Sequence, residues 1–241
     1  MINFYRKFKQ FYNSPNLRQF VRHNQKVFFE NTKSLSQHKA VVLFEFNNMQ
    51  SGIIASSYLA NVLAREYGAL IVAYVPQIHA NQRKRLAFAI KKLLGLQEFA
   101  VYKSFGTTDF LAMRITDLQR ERAQSLYSEI VNNLRDKRDI EKITINGIWV
   151  GDLIYDTYLR RYNKPTIDIA SIQFLRFLRK SIETFVYWED YFNSHDVQAI
   201  NVSHCSYNLA MPMRLAVERN IPAFQASLAH LYRLNKSNYI A

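Results

Sequence analysis

The stretch from Ala40 to Pro76 constrains this chain more than any other. AVVLFEFNN, beginning at Ala40, is a short β-branched and aromatic run of the kind that forms a buried strand. The turn Met49-Gln50-Ser51-Gly52 leads into IIASSYLANVLAREYG, where Ile54, Tyr58, Leu59, Val62 and Leu63 form an apolar stripe at helical spacing and Gly68 is placed to cap the helix. Leu70–Val75 is a second apolar run, closed by Pro76. Strand, helix and strand within ~35 residues make a βαβ unit, which winds right-handed and requires parallel strands.

The alternation continues along the chain. NQRKRLAFAIKKLLGL reads as a strongly basic helix with an apolar face of Leu86, Ile90, Leu93 and Leu94. Phe99–Lys103 reads as a further strand and Ile115–Arg135 as a long, charge-rich helix. A strand from Lys142 gives way to a helix near Gly151, which a polar turn and Pro165 close. Ile172–Phe192 is a long amphipathic helix, VQAINVSH a strand, MPMRLAVERN a helix and IPAFQAS a last strand. The expected fold class is α/β: a Rossmann-like, doubly wound, mostly parallel sheet with flanking helices over residues 36–241, behind a basic helical segment over 1–35.

That leading segment sets Phe4, Tyr5, Phe8, Phe11 and Tyr12 on one helical face among Arg6, Lys7, Lys9, Arg18, Arg22 and Lys26, with no acidic residue before Glu30. Such a helix either packs on the domain with its charges solvated or lies in an anionic membrane surface, where each basic residue gains ~1 kcal/mol. The net charge of +13, from 32 Lys and Arg against 19 Asp and Glu, points to an anionic partner: nucleic acid, lipid or a phosphorylated substrate. A hydrophobic content of 49% supplies a core and excludes extensive disorder. The lone Cys205 excludes an internal disulfide and fits the cytoplasm, and the longest apolar run falls well short of the ~20 residues of a membrane helix. The six histidines show no HExxH or similar ligand spacing, so neither metal nor cofactor is expected.

Ligands of open parallel sheets bind beyond the carboxyl ends of the strands, and three polar stretches fall there. The first, Asn47 to Gly52, offers a tight turn or helix-terminal amides for an anion or sugar hydroxyl; it carries neither GxGxxG nor a P-loop. The second is Asn146 to Asp152, followed by Tyr155, Asp156 and Arg160; Asp152 either caps a helix or serves as a base, and Asp156–Arg160 has the spacing of a helix ion pair. The third is Val202 to Tyr207. His204 is its acid–base candidate, with a hydrogen-bonded loop histidine as the plainer reading, and Cys205 beside it has no orienting partner for a nucleophile's role.

INGIWVGDLIYDTYLRRYNKPTID and YFNSHDVQAINVSHCSYNLAMPMRLAVERNIPAF together resemble the N-terminal halves of capsular and surface polysaccharide biosynthesis proteins, in which a GD-I-YD-YLR segment precedes a strand ending in His plus Tyr and a helix carrying RLA. The likeness runs over most of residues 40–235. It implies a GT-B-type glycosyltransferase whose N-terminal, Rossmann-like half binds a glycan or lipid-linked acceptor, while a second half, outside this chain, binds the nucleotide-sugar donor. On that reading Asp152 and His204 are the catalytic candidates, and Asn47, Asn48, Gly52, Gly151, Tyr155, Asp156, Arg160, Tyr207 and Arg214 bind substrate. The enzyme would act in the cytoplasm, at the inner face of the cell membrane, held by residues 1–30. The rival is a non-catalytic basic α/β module that binds nucleic acid or joins a polysaccharide assembly complex. No RNP, KH, zinc-finger or helix-turn-helix pattern supports nucleic acid as its partner.

Overall fold

The structure, a computed structural model, describes residues 14–33, 40–46, 50–75, 82–96, 98–226 and 230–239. The leading aromatics Phe4 to Tyr12 and the candidates Asn47 and Asn48 lie outside them. The chain divides into two compact units, Met1–Ala112 with Val197–Ser203 and Ala226–Leu231, and Met113–Asp196 with His204–Gln225 and Tyr232–Ala241.

The first unit opens with helix α1 (Pro15–Lys33), strand β1 (Ala40–Glu45), helix α2 (Gln50–Tyr67) and strand β2 (Leu70–Val75). Helices α3 (Gln82–Leu94) and α4 (Glu98–Ser104) then lead to strand β3 (Thr107–Ala112). Strands β1, β2 and β3 pair in parallel, with Val41 opposite Leu70 and Ala73 opposite Phe110. Both β1 and β2 are buried from their second residue on, as parallel strands covered on two faces must be. Further along lie β6 (Asp196–Val202), β7 (Ala223–Ala226) and β8 (Leu231–Leu234), and the sheet runs β3-β2-β1-β6-β7-β8. Numbered within the sheet alone, this is the order 3-2-1-4-5-6 of the doubly wound Rossmann type. The expected fold class is the observed one.

Phe99–Lys103 is helical rather than a strand. Phe99, Tyr102 and Phe105 recur every third residue and are all buried, a helical period hidden in an apolar run too short to declare itself. The strand of this region is the more polar TTDFLA of β3. Helix α2 turns a face of Ile53, Ser57, Ala60, Asn61 and Ala64 inward and leaves Ile54, Tyr58 and Val62 exposed. Small side chains let a helix lie close to a sheet, so the bulky stripe faces out. Gly68, at φ 59°, closes α2 as expected: its N–H donates to the Arg65 carbonyl and the Ala69 N–H to the Ala64 carbonyl. Helix α1 packs through Phe20, Asn24 and Phe28, one turn apart: both rings meet Phe105, at 6.2 and 4.8 Å, and the Asn24 amide donates to Ser104. Its opposite face presents Arg18, Arg22, His23 and Lys26 around an open depression.

The second unit is built on helix α8 (Ile172–Ser194), whose Phe174, Leu178, Ile182, Phe185 and Trp188 are buried. Helix α5 (Asp117–Asn133), capped by a Thr116–Gln119 box, is tied to it where Arg122 reaches Glu189 and Asp190. Helix α6 (Lys137–Glu141) precedes a two-stranded hairpin of β4 (Thr144–Ile145) and β5 (Ile148–Trp149) in place of the expected sheet strand. Asn146 and Gly147 both take positive φ, the turn that an Asn-Gly pair favours between antiparallel strands. Helices α7 (Gly151–Tyr162) and α9 (Met211–Glu218) complete the unit.

Phe105→Ala removes the ring on which α1 rests. It is expected to cost ~3–5 kcal/mol and to expose α1 to trypsin at Arg18, Arg22 and Lys26 before the rest of the first unit is cut. Limited proteolysis followed by mass spectrometry checks this.

Candidate functional site

In the first unit the strand order reverses between β1 and β6, and the buried polar residues Glu45 and Asn201 lie toward the carboxyl ends of those strands. Glu45, the last residue of β1, is buried; its Oε2 accepts from the Ser203 backbone N–H at 2.9 Å and from Ser203 Oγ at 2.6 Å. Two donors on one oxygen offset part of the desolvation of a carboxylate taken out of water. Asn201, buried on β6, accepts from the Ala226 N–H at 3.3 Å, while its Nδ2 has no hydrogen-bond partner among the described residues. Burial, with the charge of Glu45 adding to it, pushes the phenol of Tyr74 on β2 well above its usual range. The crevice at a reversal of strand order is where open α/β sheets take ligands, and this one offers carboxylate, hydroxyl and amide groups, a set suited to hydroxyl-bearing ligands. Gly52, in the first turn of α2, takes no left-handed conformation.

In the second unit the hairpin sets the start of α7. The N–H groups of Val150 and Gly151 both donate to the Ile143 carbonyl at 3.0 Å. A Cβ on Gly151 would lie 2.2 Å from the Ile140 carbonyl oxygen, so only glycine fits this close backbone approach. Asp152 follows in the first turn, but it does not cap α7: the N-cap is Val150 and makes no side-chain bond. Both Asp152 oxygens accept from Arg214 of α9, at 3.1 and 2.5 Å. Arg214 is 1% exposed; it also donates to the Trp149 carbonyl at 2.9 Å and lies over the rings of Trp149 and Tyr239 at 5.0 and 4.7 Å. Its Nε finds no hydrogen-bond partner among the described residues.

Asp156 and Arg160 share the α7 face of Asp152, one and two turns on. Arg160 lies over the Tyr207 ring at 4.5 Å. Tyr207 has φ 65° and ψ 174°, a backbone region that is close to glycine's alone. The next residue holds that bend: the Asn208 N–H donates to Thr157 Oγ1 at 2.7 Å and its amide to Ser181 Oγ at 2.8 Å. Tyr155 is half-buried and His204 exposed. Cys205 donates to Gln225 at 3.0 Å; burial pushes its thiol up while the Arg214 charge pulls it down, the wrong balance for a ready thiolate. The structure therefore joins Asp152 to Arg214 and Arg160 to Tyr207.

Glu45 and Asn201 were not candidates on sequence, and Ser203 was only a member of the polar stretch Val202 to Tyr207. The legible signal was Glu45 itself, an acid closing an otherwise apolar strand. Among the described residues no group of three or more His, Cys, Asp or Glu side chains is placed to hold a metal, and no helix is long and apolar enough to cross a membrane. Comparison of the chain with family models, curated proteins and solved structures returned no match.

Asp152→Ala leaves a buried guanidinium without its carboxylate and is expected to cost ~3 kcal/mol, whereas Asp152→Ala combined with Arg214→Met costs less than the two single changes together. Urea unfolding of the four proteins measures the coupling. A second expectation concerns pH. Partial burial, then Asp152, then Glu141 raise the Asp156 carboxyl above its ordinary value. A raised folded-state value means that the contribution of Asp156 is favourable below the unfolded value and is lost as pH rises through the folded one. Asp156→Asn is thus expected to unfold at higher urea than the parent at neutral pH, with the gap closing as the pH falls through the carboxylate range.

Proposed function

We propose that this chain is the acceptor-side, Rossmann-like domain of a glycosyltransferase of surface polysaccharide synthesis, and that its β1–β6 crevice binds the sugar hydroxyls of a glycan or lipid-linked acceptor. The observation that carries the reading is Glu45, a buried carboxylate at the point where the strand order reverses. A charge is costly to bury, and a position beyond the strand ends gives it a use: carboxylates accept from sugar hydroxyls, and the Asn201 amide has hydrogens to donate. The resemblance of the Gly151–Arg160 and His204–Arg214 segments to polysaccharide biosynthesis proteins supplies the reaction class. Within that class Asp152, bonded through both oxygens to Arg214, acts as a positioning residue, and His204, exposed in the second unit, is a separate acid–base candidate. The donor nucleotide sugar would be held by a second half of the enzyme.

Saturation-transfer NMR on the full chain, with a neutral oligosaccharide and with a nucleoside diphosphate as separate probes, tests the crevice. The oligosaccharide is expected to receive saturation, and Glu45→Gln to weaken its binding about tenfold by removing a charge-assisted hydrogen bond, with circular dichroism unchanged. Transfer to the nucleoside diphosphate alone would reassign the crevice to the donor. Transfer to neither probe, or to both regardless of Glu45→Gln, would remove the proposal.

A further inference from the structure

Helix α3 carries Leu86, Ile90, Leu93 and Leu94, all exposed, with Leu93 at 82% and Leu86 at 63%. The spacing is that of one helical face, the apolar face legible in the sequence. The structure seats α3 by the other side. Phe88 packs on Phe46 and Phe99 at 6.0 and 5.2 Å. Lys92, one turn on, reaches the Asp109 carboxylate and the Phe110 carbonyl, the latter at 3.2 Å. With Phe88 and Lys92 turned in, the leucines have no route to the core.

The charge of α3 says what covers them. QRKRLAFAIKKLL holds five basic residues and no acidic one. Arg83, Lys84 and Arg85 crowd the first turn, where the helix dipole disfavours positive charge, so the fold gains nothing from them there. Lys91 and Lys92 lie in the last turn, on either side of Phe88. Glu98 and Asp109 answer Lys91 and Lys92, two acids against the five basic residues that the sequence of α3 brings. An exposed apolar face on a helix rich in basic residues and free of acidic ones is the pattern of a helix lying in an anionic bilayer surface.

We propose that α3 is a docking helix for an anionic lipid surface, with Leu86, Ile90, Leu93 and Leu94 at the boundary of headgroups and acyl chains. Nucleic acid would leave four aliphatic side chains without a partner, and the ring that stacking would need, Phe88, is turned inward. A second copy of the chain would set one basic helix against another. The inference is independent of the sugar-binding crevice and of any membrane contact through residues 1–30.

The test is flotation of the full chain with vesicles of phosphatidylcholine, with or without phosphatidylglycerol. The parent is expected to float only with the anionic vesicles. Leu86→Ser with Leu93→Ser, two exposed sites whose change leaves the unfolding curve in place, is expected to reduce binding about tenfold or more. Binding retained by this double variant but lost on changing Arg6, Lys7 and Lys9 to Ser would assign the contact to the leading segment and overturn the proposal. So would the absence of flotation, whether accompanied by self-association that Leu93→Ser abolishes or by salt-dependent binding of a duplex oligonucleotide.

Discussion

Parallel pairing of β1, β2 and β3 is the constraint on which the first unit depends. Parallel neighbours cannot be joined by a tight turn, so each step across the sheet carries a helical crossover of a dozen residues or more. α2 supplies one such crossover, and α3 with α4 the next. Both steps run the same way, which takes the chain to one edge at β3; continuation at β6 has to resume on the free side of β1. The sheet order reverses between β1 and β6, the position at which open α/β sheets take ligands. Glu45 and Ser203 sit at that place because they are the residues at which those two strands end.

The buried charges of the two units differ in what they cost and what holds them. Arg214 lies on a helix whose first seven residues are all buried, so its guanidinium has no path to water and must be answered by protein. Asp152, the Trp149 carbonyl and two aromatic faces answer it, and each depends on the hairpin and on Gly151 to be where it is. Such an arrangement fixes geometry more than it adds stability, since desolvating both ions offsets much of their attraction. Among the described residues, Ser203 holds Glu45 through one of its two oxygens. The first arrangement has the character of a structural lock, and the second ties the end of β1 to the residue that follows β6.

Legibility in the sequence followed the strength of the local pattern. β1, β2, α7 and α8 were readable because each has a long or strictly periodic apolar signal ended by Gly, Asn or Pro. The hairpin at Asn146-Gly147 was missed although the dipeptide announces it, because its strands are two residues each. The apolar stripe of α2 is split, with Leu63 buried and Ile54, Tyr58 and Val62 exposed, and the apolar face of α3 is exposed, for a shared reason. Hydrophobicity alone ranks Tyr58 or Leu93 above Ala60 or Ser57, whereas close approach of a helix to its neighbours selects for small side chains and for single anchors such as Phe88. At the candidate sites, a spacing rule made the shared face of Asp152, Asp156 and Arg160 legible. The Asp152–Arg214 bond and the Glu45–Ser203 bond join residues 62 and 158 apart in sequence, and no local pattern encodes pairings of that kind.

Tyr207 shows how the loop after β6 is used. An aromatic residue in a glycine-like conformation costs ~1–3 kcal/mol and persists only where its surroundings leave no alternative. Here the Asn208 N–H is bound by Thr157, the Asn208 side chain by Ser181, and the Tyr207 ring by the Arg160 guanidinium. Glycine at 207 would relieve the backbone but leave Arg160 without a face to lie on. The strain is therefore the cost of placing a ring at that point, one turn from the end of α7 and three residues after His204. A loop held this firmly presents its side chains in one arrangement.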